Sequence, residues 1–136
     1  MRDLFHTAAK NALQKDGWTI THDPLPLQVG GVDMAVDLGA EKLFGAEKNG
    51  QKIAVEVKSF ASPSNISEFH TALGQYLDYE YALEEKEPDR VLYLAVPVDV
   101  YRGFFKLEFI RIVVSRHHLR LLIYDPEFEE INQWIS

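Results

Sequence analysis

The chain has 136 residues, 46% hydrophobic and 26% charged, with no cysteine. It is long enough to bury one core in a single domain over 1–136, and it excludes disulfides and thiolate metal sites. Fourteen Lys and Arg against 21 Asp and Glu give a formal charge of −7, which is not the basic footprint of a protein that grips nucleic acid unaided. No apolar run reaches the roughly 18 residues that span a bilayer. The start, MRDLFHTAAKNALQKDGW, lacks the apolar stretch of a signal peptide, so a cytoplasmic protein with no membrane contact is expected.

Residues 3–16 read as a helix. Leu4, Ala8, Ala9, Ala12 and Leu13 share one stripe, Asp3 can cap the start and Gly17 can close the end. WTITHDPLPL starts as a strand that Pro24 and Pro26 stop. Residues 29–60 then carry two strands. Asn49-Gly50 between them is a strong hairpin signal, because a type I′ turn needs positive φ at both central positions. Residues near 42–48 should therefore pair antiparallel with residues near 52–58.

A long helix follows from SPSN onward. Asn65 with Glu68 makes a capping-box-like start, Ile66, Phe69, Leu73 and Leu77 recur at helical spacing, and Pro88 bars continuation. RVLYLAVPV is continuously apolar, as in a strand covered on both faces. Residues 104–116 place Phe105, Phe109, Ile112 and Val113 in a helix-compatible pattern. LRLLIYD is a strand, and FEEINQWI is a last strand or a short helix. The expected order is α-β-β-β-α-β-α-β, a mixed sheet flanked by helices. Charge is uneven along it. Residues 78–89 are strongly acidic, whereas Arg102, Lys106, Arg111, Arg116 and Arg120 make 102–120 basic. That stretch fits a solvated face, an interface (of a homodimer, for example) or a phosphate contact.

The chemistry-bearing residues centre on IAVEVKSF, 53–60. With period two, Ile53, Val55 and Val57 take one strand face and Ala54, Glu56 and Lys58 the other. A wet strand face explains that equally well. Asp37, ahead of the partner strand, can return alongside Glu56, with Asp33 as its competitor. Gln75 and Tyr79, four apart on the next helix, share a face that can meet Glu56. Two carboxylates suit Mg2+, which takes hard oxygen ligands and keeps several waters. Such a cation neutralises a phosphate and activates water, and a lysine beside it stabilises developing charge. The other signals are weaker. His117 and His118 are adjacent and would point apart on a strand. His6, His22 and His70 lack ligand spacing and read as surface or capping residues. VGG has no strand–helix context for a phosphate loop, and Tyr76, Tyr79 and Tyr81 read as core and boundary aromatics.

The Asp37…Glu56-Val57-Lys58 pattern with Gln75-x-x-x-Tyr79 resembles the PD-(D/E)XK nuclease superfamily. More specifically, KNALQKDGWTITHDPL, VDLGAEKL, GQKIAVEVKSF, ALGQY and EKEPDRVLYLAVPV are similar to the XisH-type fdxN-element excision controlling factors of cyanobacteria. The resemblance implies a restriction-endonuclease-like fold. It implies Mg2+, or Mn2+ in its place, on Asp37 and Glu56, with Lys58 and Gln75 assisting catalysis. It also implies a role in excising a DNA element, with DNA, an XisI-type companion and a site-specific recombinase as partners. Val36 stands where the superfamily motif has proline, and the first helix offers Asp3 and His6 in place of its glutamate. The expected function is a magnesium-dependent endonuclease, or a catalytically silent accessory factor that binds DNA, the recombinase or the companion.

Overall fold

The period-two run 53–57 lies at the centre of the molecule with both faces covered, in a computed structural model that describes residues 4–43 and 50–136. Helix α1 spans His6–Lys15. Strands β1 Thr19–His22, β2 Leu25–Val29, β3 Val32–Val36, β4 Leu38–Leu43 and β5 Gly50–Val57 follow. Then come α2 Asn65–Lys86, β6 Arg90–Pro97, α3 Val98–Arg102, a 3-10 turn Phe104–Lys106, α4 Glu108–Arg116, β7 Leu121–Asp125 and β8 Glu130–Ile135. Among the described residues, the strands form a six-stranded sheet in the order β1-β4-β5-β6-β7-β8 and a separate β2–β3 ribbon. The centre, β5-β6-β7, is parallel, and the flanking pairs are antiparallel. This is a mixed α/β fold.

The alternation of each strand sets the two layers. Ile53, Val55 and Val57 join Tyr93, Ala95, Leu122 and Tyr124 under Ala9, Ala12 and Leu13 of α1. Ala54, Leu92, Leu94, Leu121 and Ile123 face the other way, under α2, the ribbon and α4. Burial on both sides is why 90–97 carries no polar alternation. Tyr76 is fully buried but not orphaned: its hydroxyl donates to the Leu92 carbonyl (3.4 Å) and accepts from the Arg120 N–H (3.1 Å). On the opposite layer Trp134 packs against Tyr93 and Trp18, with ring centroids 4.9 and 5.6 Å apart. That packing makes the last segment a strand.

Several local expectations change. The Asp3 cap lies outside the described residues, and α1 starts at His6 with no side-chain cap. Gly17 does close it: φ is +93°, and the Trp18 N–H returns to the Leu13 carbonyl at 3.0 Å. β1 does end at His22, before the bend at Asp23-Pro24, but Pro26 does not stop a strand. Pro26 sits within β2, because a strand in a two-stranded ribbon has one unpaired edge for a residue without an N–H. The tight turn is Gly30-Gly31, both at positive φ, between paired Val29 and Val32. Asn49 lies outside the described residues. Among the described residues, Leu43 pairs with Gly50 where β4 meets β5.

In α2 the cap is Ser64, whose side chain accepts from the Ser67 N–H. Glu68 instead reaches back to the Phe60 and Ser62 N–H groups at 2.9 and 3.2 Å and fixes the loop leaving β5. The buried stripe of α2 is Phe69, Ala72, Tyr76, Tyr79, Ala82 and Leu83, and Ile66 is exposed. The helix expected over 104–116 begins at Glu108, because Gly103 and the 3-10 turn intervene. No helix among the described residues is long and apolar enough to cross a membrane.

Candidate active site

The β4–β5 register brings the carboxylates together. Leu38 lies opposite Val55 and Ala40 opposite Ile53, so Asp37, one residue before β4, falls opposite Glu56. A two-residue Asn49-Gly50 turn would have put Leu43 there instead. Where the backbone ladder stops, side chains continue it. The Asp37 N–H donates to Glu56 Oε1 at 3.2 Å, and the Val57 N–H donates to Asp37 Oδ2 at 2.8 Å. Each carboxylate is thereby held by backbone from the other strand.

Lys58 lies just past the end of β5. Its N–H donates to the Ala95 carbonyl at 3.1 Å, and its carbonyl accepts from the Tyr124 hydroxyl at 3.4 Å. So anchored, its Nζ sits 3.7 Å from Glu56 Oε2. Gln75 and Tyr79 descend from α2 onto the same spot. With His6, Asp23, Asp37, Glu56 and Lys58 they line a cleft of about 470 Å³.

The electrostatics of this cleft are unfavourable as it stands. Glu56 is only 4% exposed, so the face carrying Glu56 and Lys58 is not a wet strand face. Burial first, and the Asp37 charge second, push the Glu56 carboxyl up to about 8, against the opposing pull of Lys58. Burial and the same two carboxylates push the Tyr79 phenol up to about 12, so it remains a hydrogen-bond donor at neutral pH. Gln75 Oε1 is buried with no hydrogen-bond partner among the described residues. A buried amide oxygen without a donor costs free energy unless something outside the chain supplies one.

Asp33 is excluded from this site. It is exposed on the ribbon, paired with Gln28, and does not line the cleft. His70, His117 and His118 are exposed elsewhere, the last two at the turn after α4. His6 is the correction on the other side. It is 3% exposed, not a surface residue, and its Nε2 lies 2.8 Å from Asp23 Oδ1. Lys10 Nζ donates to Asp23 Oδ2, also at 2.8 Å. Burial raises the Asp23 carboxyl, but hydrogen bonds from Lys10 and His6 outweigh it and hold it below its ordinary value. Sequence reasoning missed Asp23 altogether. His6 had a usable signal, since His6, Ala9 and Leu13 share helical spacing.

Two carboxylates, a lysine and an unpartnered amide fit a hard divalent cation, which needs one or two protein carboxylates and fills its other positions with water. Among the described residues no group of three or more His, Cys, Asp and Glu is placed to hold a metal, so such a cation would rest on Asp37 and Glu56 alone.

Comparison with known proteins agrees with this architecture. A family model described as XisH protein matches residues 1–132. The crystal structure of an XisH family protein from Nostoc punctiforme is 51% identical, with a TM-score of 0.90 over 98% of this chain and 100% of that one. The crystal structure of a fdxN element excision controlling factor protein from Anabaena variabilis is 53% identical, with a TM-score of 0.89 over 99% and 100%. No curated protein matches the chain.

Proposed function

The chain belongs to the XisH family, and on that premise we propose that it is an excision controlling factor whose cleft hydrolyses DNA phosphodiester bonds with magnesium. The buried Asp37–Glu56 pair carries this reading. Two carboxyl groups brought together across a strand pair, with Glu56 raised to about 8, are a poor structural choice and a good cation site. The arrangement also suits a restriction-endonuclease-like assignment of the fold, which places an Asp and a Glu-x-Lys on neighbouring strands.

Mg2+, or Mn2+ in its place, would supply charge neutralisation at the phosphate and activation of water. The chain supplies position. Asp37 and Glu56 hold their oxygens in place through the Val57 and Asp37 N–H groups. Lys58, fixed at both ends of its backbone, presents an ammonium to the charge that develops on the phosphate. Gln75 Oε1 accepts from a water and so orients it. Tyr79 donates from its neutral phenol to a phosphate oxygen.

DNA is the substrate in this reading, and an XisI-type companion and a site-specific recombinase act beside the protein in excision. The charge of −7 favours a second reading, in which the fold binds DNA, the recombinase or the companion without cutting. The experiment that separates the two is a cleavage assay on linear and branched DNA, with and without the companion. Magnesium-dependent cutting that disappears with EDTA, Glu56→Gln and Lys58→Ala supports the enzyme. No cutting under any of these conditions leaves the silent factor.

A further inference from the structure

Ion pairing divides the charged residues of this protein unequally. Lys10, Lys42, Lys52, Lys58, Arg90 and Arg120 each lie within 4 Å of a carboxylate. Lys15 and Lys86 do not, among the described residues, and neither do four from one segment, Arg102, Lys106, Arg111 and Arg116. These four all belong to α3, the 3-10 turn and α4. Lys106 has only the face of Tyr101, 4.2 Å from its ring centre. Interleaved with them are three large exposed side chains, Leu107, Phe109 and Ile112, at 56%, 62% and 40% exposure. Arginine beside aromatic and aliphatic groups is the composition of a protein interface rather than of a phosphate track.

The acids divide in the same way. On and just after α2, Glu80 pairs with Arg120, Glu87 with Arg90 and Asp89 with Lys52. Asp78, Glu84 and Glu85 join no ion pair among the described residues. These three line a groove of about 360 Å³ between α2 and the ribbon. Its walls include Val32 and Tyr81, 54% and 70% exposed.

The α3–α4 surface therefore has unspent charge that is mainly positive, four cations against the exposed Asp99 and Glu108, and the groove has unspent charge that is negative, each around exposed apolar side chains. Both α2 and α4 lie in the layer that covers the same face of the sheet. We propose that the partner of the α3–α4 surface is the α2–ribbon groove of a second copy, in a dimer where each copy gives both surfaces. A twofold axis between the patches makes the contact twice, because in such an interface what residue i meets on its partner is met in return. Pairing α4 with α4 would set arginines against arginines.

Light scattering of the full chain across concentration and salt tests this, with thermal melts to show that each variant is folded. The wild type should double its mass at low salt and dissociate at high salt, as exposed charge pairs are screened. Arg111→Glu alone and Glu84→Arg alone should each stay monomeric. Mixed together they should dimerise, because the mixed pair sets opposite charges at both contacts. Phe109→Ser should weaken the dimer without changing its salt dependence. A wild type that stays monomeric at low salt and high concentration overturns the proposal, as does a dimer indifferent to both charge reversals. DNA binding that Arg111→Glu abolishes in a monomeric protein also overturns it, and assigns the surface to nucleic acid. None of these outcomes depends on whether the cleft cleaves DNA.

Discussion

Two buried ionisable side chains sit on neighbouring strands, toward opposite ends of the pair, and they are treated differently. Arg90, 5% exposed at the start of β6, is satisfied. Its Nη1 donates to the Ile53 carbonyl at 2.8 Å, and its Nε and Nη2 donate to Glu87 Oε1 at 3.2 and 3.0 Å. Glu56, 4% exposed near the end of β5, faces a second carboxylate. Among the described residues the cation paired with it is Lys58, at 3.7 Å, beyond hydrogen-bond length. A buried charge that serves the fold is surrounded by its complement. A buried charge that serves a ligand is left short of it. The difference is legible in hydrogen bonds, not in burial.

Arg90→Ala tests the satisfied side. It leaves the Ile53 carbonyl without this donor and opens space behind Gly39, whose backbone approaches Arg90 closely. A loss of about 3 kcal/mol is expected in urea denaturation, because removing one partner of a buried pair strands the other. A loss under about 1 kcal/mol would show that Arg90 is not the staple its bonds suggest.

Glu56 should behave in the opposite sense. Its folded-state carboxyl titrates near 8 and its ordinary value is 4.5, so the folded chain keeps a proton that the unfolded chain has released. Stability of the metal-free protein is therefore highest on the acid side and falls as pH rises between those values. In EDTA, melting temperature should drop by several degrees from pH ~5 to ~8. Glu56→Gln should flatten that decline and be more stable than wild type at the alkaline end, by about 1–2 kcal/mol. A variant that is less stable at every pH would show that the carboxylate contributes to the fold instead.

Asp33→Asn supplies the smallest effect. As an exposed ribbon residue outside the cleft, it should change stability by no more than about 0.5 kcal/mol and leave magnesium response intact. A lost response would return Asp33 to the site.

The contrast between the two charges also marks how far the sequence could be read. The faces of 53–57 follow from period two, and the spacing of Gln75 and Tyr79 from the helix, so which side chains share the cleft was legible. The register that joins them was not. Gly30-Gly31 makes a tight turn, and Leu43 lies opposite Gly50, a register that a two-residue turn at Asn49-Gly50 would not set. Turn chemistry says what a dipeptide can do, and strand packing decides whether it does. The α2 stripe was misplaced for a related reason: Ala72 and Tyr76 carry the buried face, and an alanine and a tyrosine stand out less than Ile66, Leu73 and Leu77. The His6–Asp23 contact joins residues 17 apart, across α1 and the end of β1, and no local pattern encodes it.

A divalent cation held by Asp37 and Glu56 is what the proposed activity requires first. The direct measurement is a thermal melt of wild type and Glu56→Gln at one near-neutral pH, with EDTA and with rising Mg2+. A ligand held only by the folded state stabilises by RT ln(1 + [L]/Kd), about 2.7 kcal/mol at a hundredfold excess over Kd. The wild type should rise in melting temperature with magnesium, and Glu56→Gln should not. Equal rises in both proteins, or none in the wild type with DNA present, would contradict the site.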